Sequence, residues 1–187
     1  MQEILSLNKD ESLLLIIDTQ QRLAQSMAQD EFSAMLRKTK ILIAGCDILE
    51  VPLWQSLQYV KGLGESVDGL FGESKHSDFE KRVFSVVYDD SPLLAHLAQN
   101  PHITQIIIAG MEAHICVLQS ARDLLNMGFG VVVASDCVIS RNCTNKANAL
   151  SFLANCGASV LNSESILFDL LKDSRSPQFK VISALIK

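Results

Sequence analysis

A doubly wound α/β domain built on a mainly parallel six-stranded sheet is the fold class this sequence predicts, and three observations predict it. The most hydrophobic segments are short unbroken apolar runs, such as LLLII at 13–17 and IIIAG at 106–110. Such runs suit strands covered on both faces, not half-exposed strands with alternating polarity. Segments of helical periodicity separate them, so strand and helix alternate along the chain. The 187 residues, 48% hydrophobic and 20% charged, can fill one sizeable core without requiring a second, so residues 1–187 are expected to form a single domain.

The elements follow in order. The first strand is expected at 13–17. Phe32, Met35, Leu36, Ile43 and Leu49 then fall at helical spacing ahead of a second strand, VPLWQS at 51–56. Residues 59–81, with four glycines, read as the one long irregular piece, a lid or an oligomer arm. A third strand is expected at RVFSVV, 82–87. Ser91 as N-cap, Pro92 in the first turn and Pro101 just beyond the end mark the next helix. The fourth strand is ITQIIIAG, 103–110. Leu118, Ala121 and Leu125 then set a helix that closes on Gly128, a left-handed cap. The fifth strand is FGVVVAS, 129–135. A helix through TNKANALSFLANCGA closes on Gly157 before the sixth strand, ASVLNS at 158–163.

Composition narrows the function. A net charge of −5 offers no basic stripe for nucleic acid and no attraction to anionic lipid. The amino-terminal MQEILSLNKDESLLLIIDTQ has no basic region ahead of a long apolar run, and 13–17 is too short to cross a bilayer, so a cytoplasmic location is expected. Five cysteines, with no C-x-x-C pair, argue against a disulfide framework or a zinc knuckle and for reduced thiols.

Open α/β sheets bind ligands outside the carboxyl ends of their strands. That rule selects Asp18, Thr19 and Gln20 after the first strand, Met111 to Cys116 after the fourth, and Asp136 after the fifth. Cys116, at the start of a helix, faces the positive end of the helix dipole, which favours a thiolate. A buried structural thiol fits the same position. Asp18 is placed to act as a base or to close an Asx turn. Lys81 is placed to supply a cation at the same edge or to sit in solvent. His114 reads as a pocket-lining or interface side chain, HSD at 76–78 as a polar loop, and Cys137 as the other thiol near the pocket. GLGES lacks the G-x-x-x-x-G-K-[ST] form of a phosphate loop.

Asp18-Thr19-Gln20 behind an apolar strand, the K-x-x-F-S block from Lys81 to Ser85, and AGMEAHICVLQSARDLLNMGFGVVVASDCVISR together resemble the isochorismatase-like cysteine hydrolases. The likeness spans nearly the whole chain. The loop QYVKGLGES and the terminal SPQFKVISALIK resemble the isochorismatase domain-containing subgroup in particular. The resemblance implies a three-layer α/β/α fold, a catalytic triad of Asp18, Lys81 and Cys116, and a homo-oligomer, dimeric or larger. It also implies a non-proline cis peptide between Met111 and Glu112, aiming the N–H of Glu112, with that of Cys116, at a substrate oxygen. Isochorismatase-type members lack the cysteine, so Cys116 points to the thiol branch, which acts on amides and carbamoyl compounds. Nicotinamidase members hold a metal through Asp-x-His after the second strand. The corresponding VPLWQSLQYVKGLG has neither residue, so no metal and no cofactor are expected.

The expected function is hydrolysis of a C–N bond in a small amide or carbamoyl metabolite, with Gln20, Trp54, Tyr59, Phe84, Met111 and His114 as substrate-binding walls. The reading from a different class is an oligomeric scaffold, weakly active or inactive, that docks through the KGLGES loop and the carboxyl-terminal helix.

Overall fold

The computed structural model describes residues 5–187. The first four residues, part of the amino-terminal stretch considered above, lie outside that range. Six strands, all parallel, form one sheet: β1 (Ser12–Ile17), β2 (Leu53–Gln58), β3 (Ser77–Lys81), β4 (Gln105–Met111), β5 (Gly130–Ile139) and β6 (Ser159–Leu161). Their spatial order is β3-β2-β1-β4-β5-β6. The chain therefore builds outward from β1 to one edge, then returns beside β1 and builds to the other. The reversal lies between β1 and β4.

The apolar runs become strands because each of their residues is buried on one face or the other. In β1, Leu14 and Ile16 join one core while Leu13, Leu15 and Ile17 join the opposite one; β4 divides Ile107 and Ala109 from Ile106 and Ile108 in the same way. Each such aliphatic side chain contributes about 1.5–3 kcal/mol on full burial. On the first face lie α2 (Gln29–Ile48), α7 (Ser163–Leu171) and α8 (Phe179–Ile186), through residues such as Ile43, Leu167 and Ile182. On the second lie α4 (Pro92–Gln99), α5 (Leu118–Asn126) and α6 (Cys143–Asn155), through Leu93, Leu124 and Leu153. This is the three-layer α/β/α arrangement.

One strand is displaced from its expected place and others shift at their ends: β4 begins two residues late, at Gln105, and β5 runs on to Ile139. β2 begins at Leu53, two residues late, and the third strand is Ser77–Lys81, not 82–87. β3 pairs only with β2 and is an edge strand, so its SDFEK alternates toward solvent and lacks an apolar run. The apolar stretch after it is irregular, with Val83 and Phe84 exposed. Part of the expected loop is helical, α3 (Val60–Leu63), and its Ser66 bridges to Gln20, just ahead of α1 (Gln21–Gln25). Among the described residues no helix is long and apolar enough to cross a membrane.

Candidate active site

At the reversal point, three strand ends converge. β1 stops at Ile17, paired with Ser56 of β2 and Gly110 of β4, and the next residue, Asp18, has a positive φ of 47° that turns its side chain to the carboxyl edge. The bend is held by Asp18 N–H to Ser56 C=O (3.0 Å) and by Gln20 N–H to Asp18 C=O (2.8 Å). Lys81 ends β3, opposite Gln58. Its ammonium donates to Asp18 Oδ2 (2.7 Å), Gln58 Oε1 (2.8 Å) and the Val83 carbonyl (3.3 Å), so all three N–H bonds are spent. Ser56 Oγ donates to the other carboxylate oxygen, Asp18 Oδ1, at 2.6 Å. The Asp18 and Lys81 side chains are both 0% exposed.

The Met111–Glu112 peptide that follows β4 is cis. Ala113–Val117 then form a single π-helical turn, with Val117 N–H reaching the Glu112 carbonyl, before α5 begins at Leu118. Cys116 thus sits inside a wide turn and not in the first turn of an α-helix, which removes the dipole argument for a thiolate. Burial and the negative charge of Asp18 push its thiol up to about 12, against the opposing effect of Lys81; Glu112 adds a smaller push in the same direction. Burial likewise raises Asp18 above the usual carboxylate range, opposed by Lys81, Ser56 and the thiol. The thiol is therefore neutral at rest, contrary to the low-pKa thiolate expected from position alone.

Asp18 and Cys116 line a cavity of about 100 Å³. Gln58 and Glu112 supply its polar walls, and Leu23, Leu63, Phe84 and Ile115 its apolar ones. Glu112 is itself buried, and Arg141 donates to it through the side-chain Nε (3.1 Å) and the backbone N–H (2.9 Å).

Of the residues expected at this site, Asp18, Lys81 and Cys116 come together and Phe84 stands at the cavity mouth, half exposed. The others do not line it. Trp54 lies nearer the amino end of β2, its ring against His96 (4.8 Å) and Phe79 (6.1 Å). Tyr59 carries the Arg82 guanidinium 4.0 Å over its ring. Met111 is fully buried with Met27, Phe32 and Ile139. His114 faces Ser140, Nδ1 to Oγ at 2.9 Å. Gln20 is fully buried and acts one layer out: it accepts from Gln58 N–H (2.8 Å) and donates to the carbonyls of Gln58 (3.1 Å) and Gly64 (2.6 Å). Cys137 is enclosed beside Asp136 and does not reach the cavity.

Gln58 and the Glu112 carboxylate went unrecognised in the sequence. Gln58 ends a strand just as Asp18 and Lys81 do, and the strand-end rule extended to β2 would have found it. Among the described residues no cluster of three or more His, Cys, Asp or Glu is arranged to hold a metal.

A sequence profile of the isochorismatase domain matches residues 12–165, the span from β1 into α7. The chain belongs to the isochorismatase family. Isochorismatase family protein 1A of Dictyostelium discoideum is 35% identical, over 99% of this chain and 90% of its own. Isochorismatase domain-containing protein 1 of Danio rerio is 34% identical, over 94% of this chain and 61% of its own, which places the chain with that subgroup. Among solved structures, the MAR1 ribonuclease of Caenorhabditis elegans superposes with a TM-score of 0.89 at 31% identity, covering 97% of this chain and 92% of its own. The fold is accordingly that of the isochorismatase-like hydrolases.

Proposed function

We propose that this isochorismatase-family protein is a cysteine hydrolase that cleaves a C–N bond of a small amide or carbamoyl compound, with Asp18, Lys81 and Cys116 as its catalytic residues. The observation that carries the proposal is the buried Asp18–Lys81 pair facing the Cys116 thiol at the wall of a small cavity.

The chemistry follows from the proton positions. Cys116 keeps its proton at rest, and Asp18 takes it as Sγ attacks the carbonyl carbon. Lys81, held by three acceptors, stays in place and balances the charge as it moves from carboxylate to sulfur. The N–H groups of Glu112 and Cys116 receive the tetrahedral oxyanion. The proton on Asp18 passes to the departing amine, and a water deprotonated by Asp18 then clears the thioester. No step requires a metal or cofactor.

A nuclease reading, suggested by the name of the nematode relative, fits less well. The cavity is small beside the roughly 300–1,000 Å³ of ordinary ligand pockets, and the charged groups lining it, Asp18 and Glu112, are carboxylates that repel phosphate. The unpaired state of all five cysteines supports a cytoplasmic setting, and exposed Val83 and Phe84 beside the cavity support a homo-oligomer.

Ammonia or amine release from a panel of small amides and carbamoyl compounds tests the proposal. Wild-type protein should turn over at least one compound, and Cys116→Ala and Asp18→Asn should each lower kcat/KM by a factor of about 10³ or more. Activity should fall as pH drops through the raised pKa of Asp18, because the base must be ionised, and should stay level on the alkaline side until the thiol ionises near 12. Full activity in Cys116→Ala would overturn the cysteine as nucleophile, and a wild type inert toward the whole panel would leave the scaffold reading in its place.

A further inference from the structure

The charged groups around the cavity are sorted by sign. Both charged residues that line it, Asp18 and Glu112, are carboxylates. Their two cations are turned away. Lys81 has spent its three N–H bonds behind Asp18 and is 0% exposed. Arg141 grips Glu112 from outside: its side chain is 58% exposed whereas that of Glu112 is 5% exposed, and it does not line the cavity. The Glu112 carboxylate is close enough to Cys116 for its charge to act on the thiol. A ligand entering there meets acceptor oxygens and an uncharged Gln58 amide among apolar walls, with no ammonium or guanidinium group to receive an anion.

We infer that Glu112 is a specificity-determining residue that sets the charge of the group bound beside the thiol: the site takes small uncharged primary amides and rejects the carboxylates of the same size. The inference rests on the proposed hydrolase reading for its substrate class, but the charge selection itself stands on the cavity wall. An amide NH₂ donates to the Glu112 carboxylate and the Gln58 oxygen, while a carboxylate in the same place sets oxygen against oxygen in a poorly hydrated space. Arg141 anchors the Glu112 side chain and disperses part of its charge without entering the cavity.

Two reagents of equal size read this directly. Iodoacetamide and iodoacetate each lose iodide to a cysteine sulfur, forming a thioether as the thiol proton leaves; one is neutral and the other anionic. Alkylation followed by peptide mass spectrometry gives a rate for each cysteine, and the exposed Cys143 and Cys156 serve as internal references. The iodoacetamide-to-iodoacetate rate ratio at Cys116 should exceed that at the references by about tenfold, and Glu112→Gln should bring it most of the way down to them. A ratio equal to the references, or one unchanged in Glu112→Gln, overturns the inference. A second measurement needs no reactive thiol: NMR titration of the wild-type protein with isobutyramide and with isobutyrate. Saturable shifts at Glu112 and Cys116 with the amide alone support the assignment, and equal binding of both or of neither overturns it. Binding selectivity without turnover would instead defeat the hydrolase reading and leave the charge filter standing.

Discussion

The Asp18–Lys81 pair concentrates the cost of this site in two side chains. Both are fully buried, and each is fully partnered: the carboxylate by Lys81 and Ser56, the ammonium by Asp18, Gln58 and the Val83 carbonyl. Removing one member leaves a buried charge without its counterion, which costs about 3–5 kcal/mol, whereas removing both is often neutral. Lys81→Met should therefore destabilise by roughly that amount, and Asp18→Asn/Lys81→Met should recover most of it, while both variants lose activity. Urea unfolding of the full double-mutant cycle checks this. A strictly additive cycle would show that the pair does not behave as a unit.

Gly110 settles how closely the two central elements approach. It has φ of 115°, and a Cβ there would overlap the Ile17 carbonyl of β1. At the same point β4 shifts register against β5, between Ile108 and Gly110. The close approach brings the end of β4, and with it Glu112 and Cys116, beside Asp18. Gly110→Ala combines left-handed strain with overlap against backbone, which cannot rotate away. It should destabilise by at least about 3 kcal/mol and cut any amide hydrolysis further than the stability loss explains, as seen by comparing kcat with the folded fraction at one temperature. The central strands were legible in sequence because they are covered on both faces and leave unbroken apolar runs. The edge strand Ser77–Lys81 was not, since a strand paired on one side alternates toward water, and of the apolar 82–87 stretch beyond it Phe84 reaches the cavity mouth while Val86 is buried in the core. The strand-end rule likewise selected Asp18 and Cys116, which the structure brings to one cavity. Trp54 and Tyr59 were misplaced because proximity in sequence to a strand end does not say which way a side chain leaves the sheet.

Both cores of the molecule enclose thiols. Cys46 and Cys137 belong to the layer under α2 and α7, and Cys116 to the layer under α5. Burial raises the pKa of all three, that of Cys116 to about 12. The sign of the consequence follows from proton counts. Above about 8.5, the ordinary thiol value, the unfolded chain loses these protons while the folded chain keeps them, so the folded state binds more protons and stability falls as pH rises. The stabilisation is fully present below that value and is lost progressively up to the folded-state pKa, near 12 for Cys116. Each buried thiol adds a slope of about 1.4 kcal/mol per pH unit, hence about 4 for the three. Urea unfolding between pH 8.5 and 10.5 in reducing buffer should show this decline. In Cys46→Ala/Cys137→Ala the slope should drop by about two-thirds of the thiol contribution, from a starting stability near neutral pH that is lower because of the cavities it creates. Subtracting the two curves cancels the lysines and tyrosines common to both proteins. An identical slope in wild type and variant would mean that Cys46 and Cys137 ionise in the folded protein, and would overturn the burial effect assigned to those two thiols.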